Sequence, residues 1–157
     1  MSIDGIPVGT CGYDPVIASS KDKFLITSPG FPNNYPTLSD CQWNIYASSH
    51  QTVEFDLQFL DMEVSHECEF DYLKFFDSQE ASGKELYIGC DGKSFSPTKI
   101  RSTGRYMVIL FHTDDRITEN GHRVGFNGTY YATCGGTLHD VEGLDQNYFS
   151  KNFEKKN

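Results

Sequence analysis

The chain has no long apolar run: nothing in its 157 residues approaches the roughly 18 that a membrane-spanning helix needs, so no membrane span is expected. It has no basic excess either. Its 13 Lys and Arg stand against 22 Asp and Glu, a net charge of −9. That balance excludes nucleic acid, whose phosphates require a basic face, and disfavours anionic membrane surfaces. It tilts the choice of partner toward cations and basic protein surfaces. The opening Met1-Ser-Ile-Asp-Gly5 has neither a basic n-region nor an apolar h-region. It reads as the start of a mature form or a fragment, not as a signal peptide. No C-x-x-C pair occurs, which removes zinc ribbons and thioredoxin-like redox sites. The motifs Gly-x-Ser-x-Gly and HExxH are also absent, and His50, His66, His112, His122 and His139 are scattered. A pair of carboxylates could in principle hydrolyse a glycoside, but a domain of this size is not expected to carry the deep cleft. The chain therefore reads as a binding module and not as an enzyme.

Helical periodicity is missing as well, and alternation takes its place. Hydrophobic residues make up 38% of the chain and aromatics 14%, with twelve Phe and nine Tyr, enough to build a core. In Thr52-Val-Glu-Phe-Asp-Leu-Gln-Phe59 every second residue is apolar, which predicts a half-buried strand with Val53, Phe55, Leu57 and Phe59 inward. Further alternating runs lie at 41–47 and 124–131, and short apolar runs at 24–27, 72–76, 85–88 and 106–111, the last apolar enough for a central strand, all separated by Gly/Ser/Asp/Asn clusters. Between them, Ser28-Pro-Gly-Phe-Pro-Asn-Asn-Tyr-Pro36 carries three prolines, which forbid a regular ladder there. Many short strands at this spacing indicate an all-β antiparallel sandwich or barrel. Trp43 is read as core, and Arg101 and Arg105 as solvated residues flanking a turn.

Five cysteines are present: Cys11, Cys41, Cys68, Cys90 and Cys134. Two disulfides and one thiol can be arranged among them in fifteen ways, and spacing does not choose. Asn127-Gly-Thr129 is an N-glycosylation sequon. Together these features favour an oxidising, extracellular compartment.

The acidic residues concentrate where strands should end. Glu63 follows the strand ending near Phe59, Asp71 opens the next one, and Asp114 lies after the strand 106–111. Clustered acids repel one another unless a cation sits among them. Calcium suits them, because it takes six to eight oxygen ligands from loop carboxylates and carbonyls. Asp61, Glu67 and Glu69 nearby add charge that attracts a cation.

The chain resembles a CUB domain in a series of elements that run in the family's order. They are Cys11-Gly12, Ser28-Pro-Gly-Phe-Pro-Asn-Asn-Tyr-Pro36, Cys41-x-Trp43, the alternating strand to Phe59, and Leu60-x-x-Glu63. Cys68-x-x-Asp71-Tyr72, Gly89-Cys90, Ser102-Thr-Gly104, Phe111-x-x-Asp114 and Gly125-Phe126 complete the series. The resemblance implies a jelly-roll-like β-sandwich with two disulfides, Cys11–Cys41 and Cys68–Cys90, each closing a loop that contributes roughly 3 kcal/mol. It implies calcium on Glu63, Asp71 and Asp114, with Tyr35 supporting the acids by a hydrogen bond. The implied partner is an extracellular protein offering an exposed Lys or Arg. One departure is visible. Arg116 and Ile117 stand where the family often has Ser and Asn, so Asp115, Glu119 or Asn120 is a candidate for a further oxygen ligand.

The expected organisation is a loose leader over 1–10, the CUB domain over 11–133, and a tail or truncated next module over 134–157. In that last segment Cys134 is available for an inter-chain or inter-module disulfide. Two alternatives stand beside the calcium-dependent module: a non-catalytic accessory domain of a secreted protease, and a carbohydrate-binding domain like the spermadhesins.

Overall fold

The computed structural model describes residues 10–90, 95–115 and 123–134. Of the expected leader only Thr10, and of the expected tail only Cys134, fall within that range; Arg116, Ile117, Glu119, Asn120 and His122 fall outside it.

Among the described residues, ten strands form two sheets. They are β1 (Thr10–Gly12), β2 (Val16–Ile17), β3 (Phe24–Thr27), β4 (Asp40–Tyr46), β5 (Gln51–Asp61), β6 (Tyr72–Phe76), β7 (Glu85–Gly89), β8 (Thr98–Arg101), β9 (Tyr106–His112) and β10 (Gly125–Cys134). The first sheet runs β1-β4-β9-β6-β7, with β2 also on β4, and the second runs β3-β10-β5-β8. The only helical element among the described residues is a 3-10 turn at His66–Cys68. Pairing is antiparallel throughout, except that β1 and β2 join β4 in parallel. The apolar runs did not reveal β1 or β2, which are too short to display a period, or β8, whose one apolar residue is Ile100.

The sheets pack face to face through aromatic rings. Phe55 of β5 meets Phe75 of β6 at 4.9 Å between ring centroids, and Trp43 of β4 meets Phe126 of β10 at 5.7 Å. Val53, Phe55, Leu57, Leu60, Leu73, Phe75, Ile109, Phe111 and Phe126 are fully buried between the layers. Burial of this kind contributes about 1.5–3 kcal/mol per large apolar side chain. Trp43 is partly buried against that core. Two disulfides, Cys11–Cys41 and Cys68–Cys90, are formed. The first ties β1 to the buried end of β4. The second ties the 3-10 turn to the end of β7.

Phe59 corrects the strand reading. The β5–β10 register shifts between Asn127 and Gly128, so that Leu57 opposes Gly128 while Phe59 opposes Asn127. Gln58 is the extra residue of this bulge. It breaks the alternation and turns Phe59 outward, to 39% exposure, while Leu60 takes the inward place.

Arg101 and Arg105 are not simply solvated. Arg101, on β8, clasps Glu54 of β5, with Nη2 at 2.6 Å and Nε at 3.0 Å from Oε2. Arg105 donates from Nε to the Ala47 carbonyl oxygen at 2.9 Å.

Candidate metal centre

Three connections meet at one end of the sandwich. The segment after β5 carries Glu63, the start of β6 follows Asp71, and the segment after β9 carries Asp114. Each of the three side chains offers a carboxylate oxygen, and these oxygens lie within 4.8 Å of one another. Glu63 and Asp71 are buried, at 6% and 2% exposure, and Asp114 is half-buried.

Tyr35 holds two of these connections in register. Its hydroxyl donates to Asp71 Oδ2 at 2.6 Å and accepts from the Glu63 backbone N–H at 3.0 Å. The ring is fixed edge-on against Phe111 at 5.4 Å, and its own backbone N–H donates to the Arg123 carbonyl oxygen. The Asp114 N–H closes the set by donating to Asp71 Oδ1 at 2.9 Å, and the Asp114 carbonyl oxygen accepts from the Leu38 N–H. Behind the site, Ser28 Oγ bridges the Val124 carbonyl oxygen and the Phe126 N–H. Position 125 must be glycine there: its φ is +94° and a Cβ would run into Ser28 Oγ.

The electrostatics follow from burial. Removal from water pushes the Asp71 carboxyl up; the hydrogen bonds from Tyr35 and the Asp114 N–H oppose this, and the neighbouring Asp114 carboxylate adds to it. Burial, together with the hydrogen bond to Asp71, pushes the Tyr35 hydroxyl above the usual phenol range, so it remains a neutral donor. Among the described residues no Lys or Arg pairs with Asp71; His112, stacked on Tyr72 at 5.0 Å, is the basic group nearby in its electrostatics. A buried carboxylate beside a second one is costly without a compensating cation. The donor set is oxygen throughout, which fits a hard divalent ion such as calcium and does not resemble a zinc site.

The remaining acids sit elsewhere. Asp115 is exposed and is not one of the three acids that converge. Asp61 accepts from the Val124 N–H at 3.3 Å and faces Arg123 at 4.0 Å. His66 and Glu67 are exposed and paired with each other. Cys134 is a free, exposed thiol at the end of β10.

The family model for the CUB domain matches residues 11–126. The chain belongs to the CUB domain family. Pig (Sus scrofa) cubilin is 36% identical to this CUB domain over 139 residues, covering 88% of the chain and 4% of cubilin. Human (Homo sapiens) procollagen C-endopeptidase enhancer 1 is 30% identical over 142 residues, covering 87% of the chain and 30% of that protein. The chain thus spans only a small part of these relatives. Among solved structures, the CUB1-EGF-CUB2 region of human MASP-1/3 superposes with a TM-score of 0.62 at 27% identity, covering 71% of this chain and 42% of that one. The MASP-1 CUB2 domain bound to Ca2+ gives a TM-score of 0.57 at 28% identity, covering 73% of this chain and 96% of that one.

Sequence reasoning found the three acids and Tyr35 but not the charged network on the other sheet. There, Glu54 and Asp56 are buried at 3% and 6% exposure beneath Arg101, Lys99, Lys23 and Tyr131. The polar positions of the alternating β5 run carried the signal, but only strand order placed their basic partners.

Proposed function

We infer that this CUB domain, over residues 11–133, is an extracellular binding module that holds a calcium ion on Glu63, Asp71 and Asp114. Its acidic end then receives a Lys or Arg side chain of a partner protein. The observation that carries this reading is the convergence of three carboxylates within 4.8 Å, with Asp71 buried and, among the described residues, no Lys or Arg paired with it. Bound there, calcium would neutralise the mutual repulsion of the acids and tie their connections together. The chain's own contribution is the scaffold: Tyr35 and the Asp114 N–H orient Asp71, and the Phe111 ring fixes Tyr35. With the ion bound, carboxylate oxygens at this end can take a basic side chain through charge-assisted hydrogen bonds. The calcium-bound MASP-1 CUB2 domain, similar over 73% of this chain, supports the choice of ion.

Asp114→Ala tests the reading cleanly, because the hydrogen bond that Asp114 gives to Asp71 comes from its backbone and survives the substitution. The variant should fold while losing calcium heat in titration calorimetry and the calcium-induced rise in Tm. A wild-type domain that shows neither heat nor thermal shift with calcium would overturn it.

Similarity to procollagen C-endopeptidase enhancer 1 also favours a second reading, an accessory module of a secreted protease system. It expects the domain to alter the rate of a secreted protease on a protein substrate without cleaving anything itself.

A further inference from the structure

The bulge that turns Phe59 outward lies beside the sequon. Asn127-Gly-Thr129 is the one N-x-S/T triplet in the chain. In β10 the inward row is Phe126, Gly128 and Tyr130, all buried, so Asn127 and Thr129 lie on the outer face of the second sheet. The residue directly opposite Asn127 on β5 is Phe59, and on β3 it is Thr27. Directly opposed residues have Cβ atoms about 4.5–5.5 Å apart. Phe59 is 39% exposed and pairs with Phe31 at 6.0 Å between centroids, which makes a two-ring aromatic surface next to the Asn127 side chain. Asn127 is only partly buried, yet its Oδ1 is fully buried with no hydrogen-bond partner. A bulge re-aims a side chain, and without it Phe59 would lie in the core, as the alternation of β5 predicts.

We propose that Asn127 carries an N-linked glycan whose first sugar packs on the Phe59–Phe31 rings and covers this flank of the second sheet. The proposal rests on the extracellular reading above. The side-chain nitrogen of Asn127 attacks the anomeric carbon of an N-acetylhexosamine borne on a polyisoprenyl pyrophosphate. The N–C bond forms, the sugar–phosphate C–O bond breaks, the lipid pyrophosphate leaves, and the amide nitrogen gives up one proton. In the folded domain the apolar C–H face of the sugar excludes water from the exposed rings. The glycan then stands near the end of β10 that leads into the acidic centre, so a partner is steered to the opposite flank, that of the first sheet.

The test is to secrete the full chain from a glycosylating cell and map it by mass spectrometry before and after peptide N-glycosidase. The expected result is a glycan at Asn127, with the released site converted to aspartate. Asn127 left unmodified in secreted, disulfide-bonded protein would overturn this proposal while sparing the extracellular reading. Reduced Cys11, Cys41, Cys68 and Cys90 in the same material would overturn both. Phe59→Ala tests the packing: occupancy should persist, because the sequon is intact. Removing the glycan should lower Tm by about 2–4 °C in the wild type and by much less in the variant. Equal shifts in the two proteins would overturn the stacking.

Discussion

Two groups of buried acids in this CUB domain are solved in opposite ways. On the outer face of the second sheet, burial alone would raise Glu54. Arg101 at 2.6 Å, Tyr131 at 2.8 Å and Lys99 at 3.5 Å outweigh it and hold the carboxyl below the usual range. At the end of the sandwich Asp71 has hydrogen bonds but, among the described residues, no Lys or Arg paired with it, and burial holds its carboxyl above the usual range. The first group carries its own cations and is structural. The second brings three carboxylates together at the end of the sandwich, with the Tyr35 hydroxyl and the Asp114 N–H on Asp71. Burial alone therefore does not distinguish the two groups; the groups that face each carboxylate do.

The sharpest way to break this contrast is Asp71→Asn. It should abolish calcium binding, a loss of at least about 100-fold in affinity by titration calorimetry, yet leave the calcium-free protein no less stable, because an unfavourable buried charge is removed. A calcium-free variant much less stable than wild type would erase the distinction. Tyr35→Phe should come next, weakening calcium about 10–100-fold by releasing Asp71 and the Glu63 backbone. Arg101→Ala should have the reverse profile: a loss of about 1–3 kcal/mol in denaturant unfolding, with Lys99 and Tyr131 limiting the damage, and unchanged calcium affinity. The smallest effect is on pH dependence. The folded Glu54 carboxyl is depressed, so its contribution is present at neutral pH and fades as pH falls below about 4. In Arg101→Ala, the acid limb of the stability curve should be shallower than in wild type, measured without calcium.

Most strands were legible because a half-buried sheet writes its two faces into the chain with period two. Val53, Phe55 and Leu57 followed that pattern and are buried. Phe59 followed it and is not, because a single inserted residue at Gln58 shifts every later side chain to the other face. A bulge leaves no compositional trace when the residues around it still alternate. The strands β1 and β2 were illegible because two or three residues cannot show a period, and β8 because Ile100 is its one apolar residue.

The sequence by itself determined the family, the sheet-forming runs and the identity of the acids that converge, since composition, alternation and motif order are local or serial properties. Tertiary structure decided the geometry of the support that Tyr35 gives those acids, and the pairing of Glu54, which no motif marked. Tyr35 reaches Glu63 across 28 residues and Asp71 across 36, and Arg101 reaches Glu54 across 47. Such pairings follow from strand order and register, which sum many weak contacts over the whole domain. That is why Glu54 is paired with Arg101 while Asp71 is held by the Tyr35 hydroxyl and the Asp114 N–H.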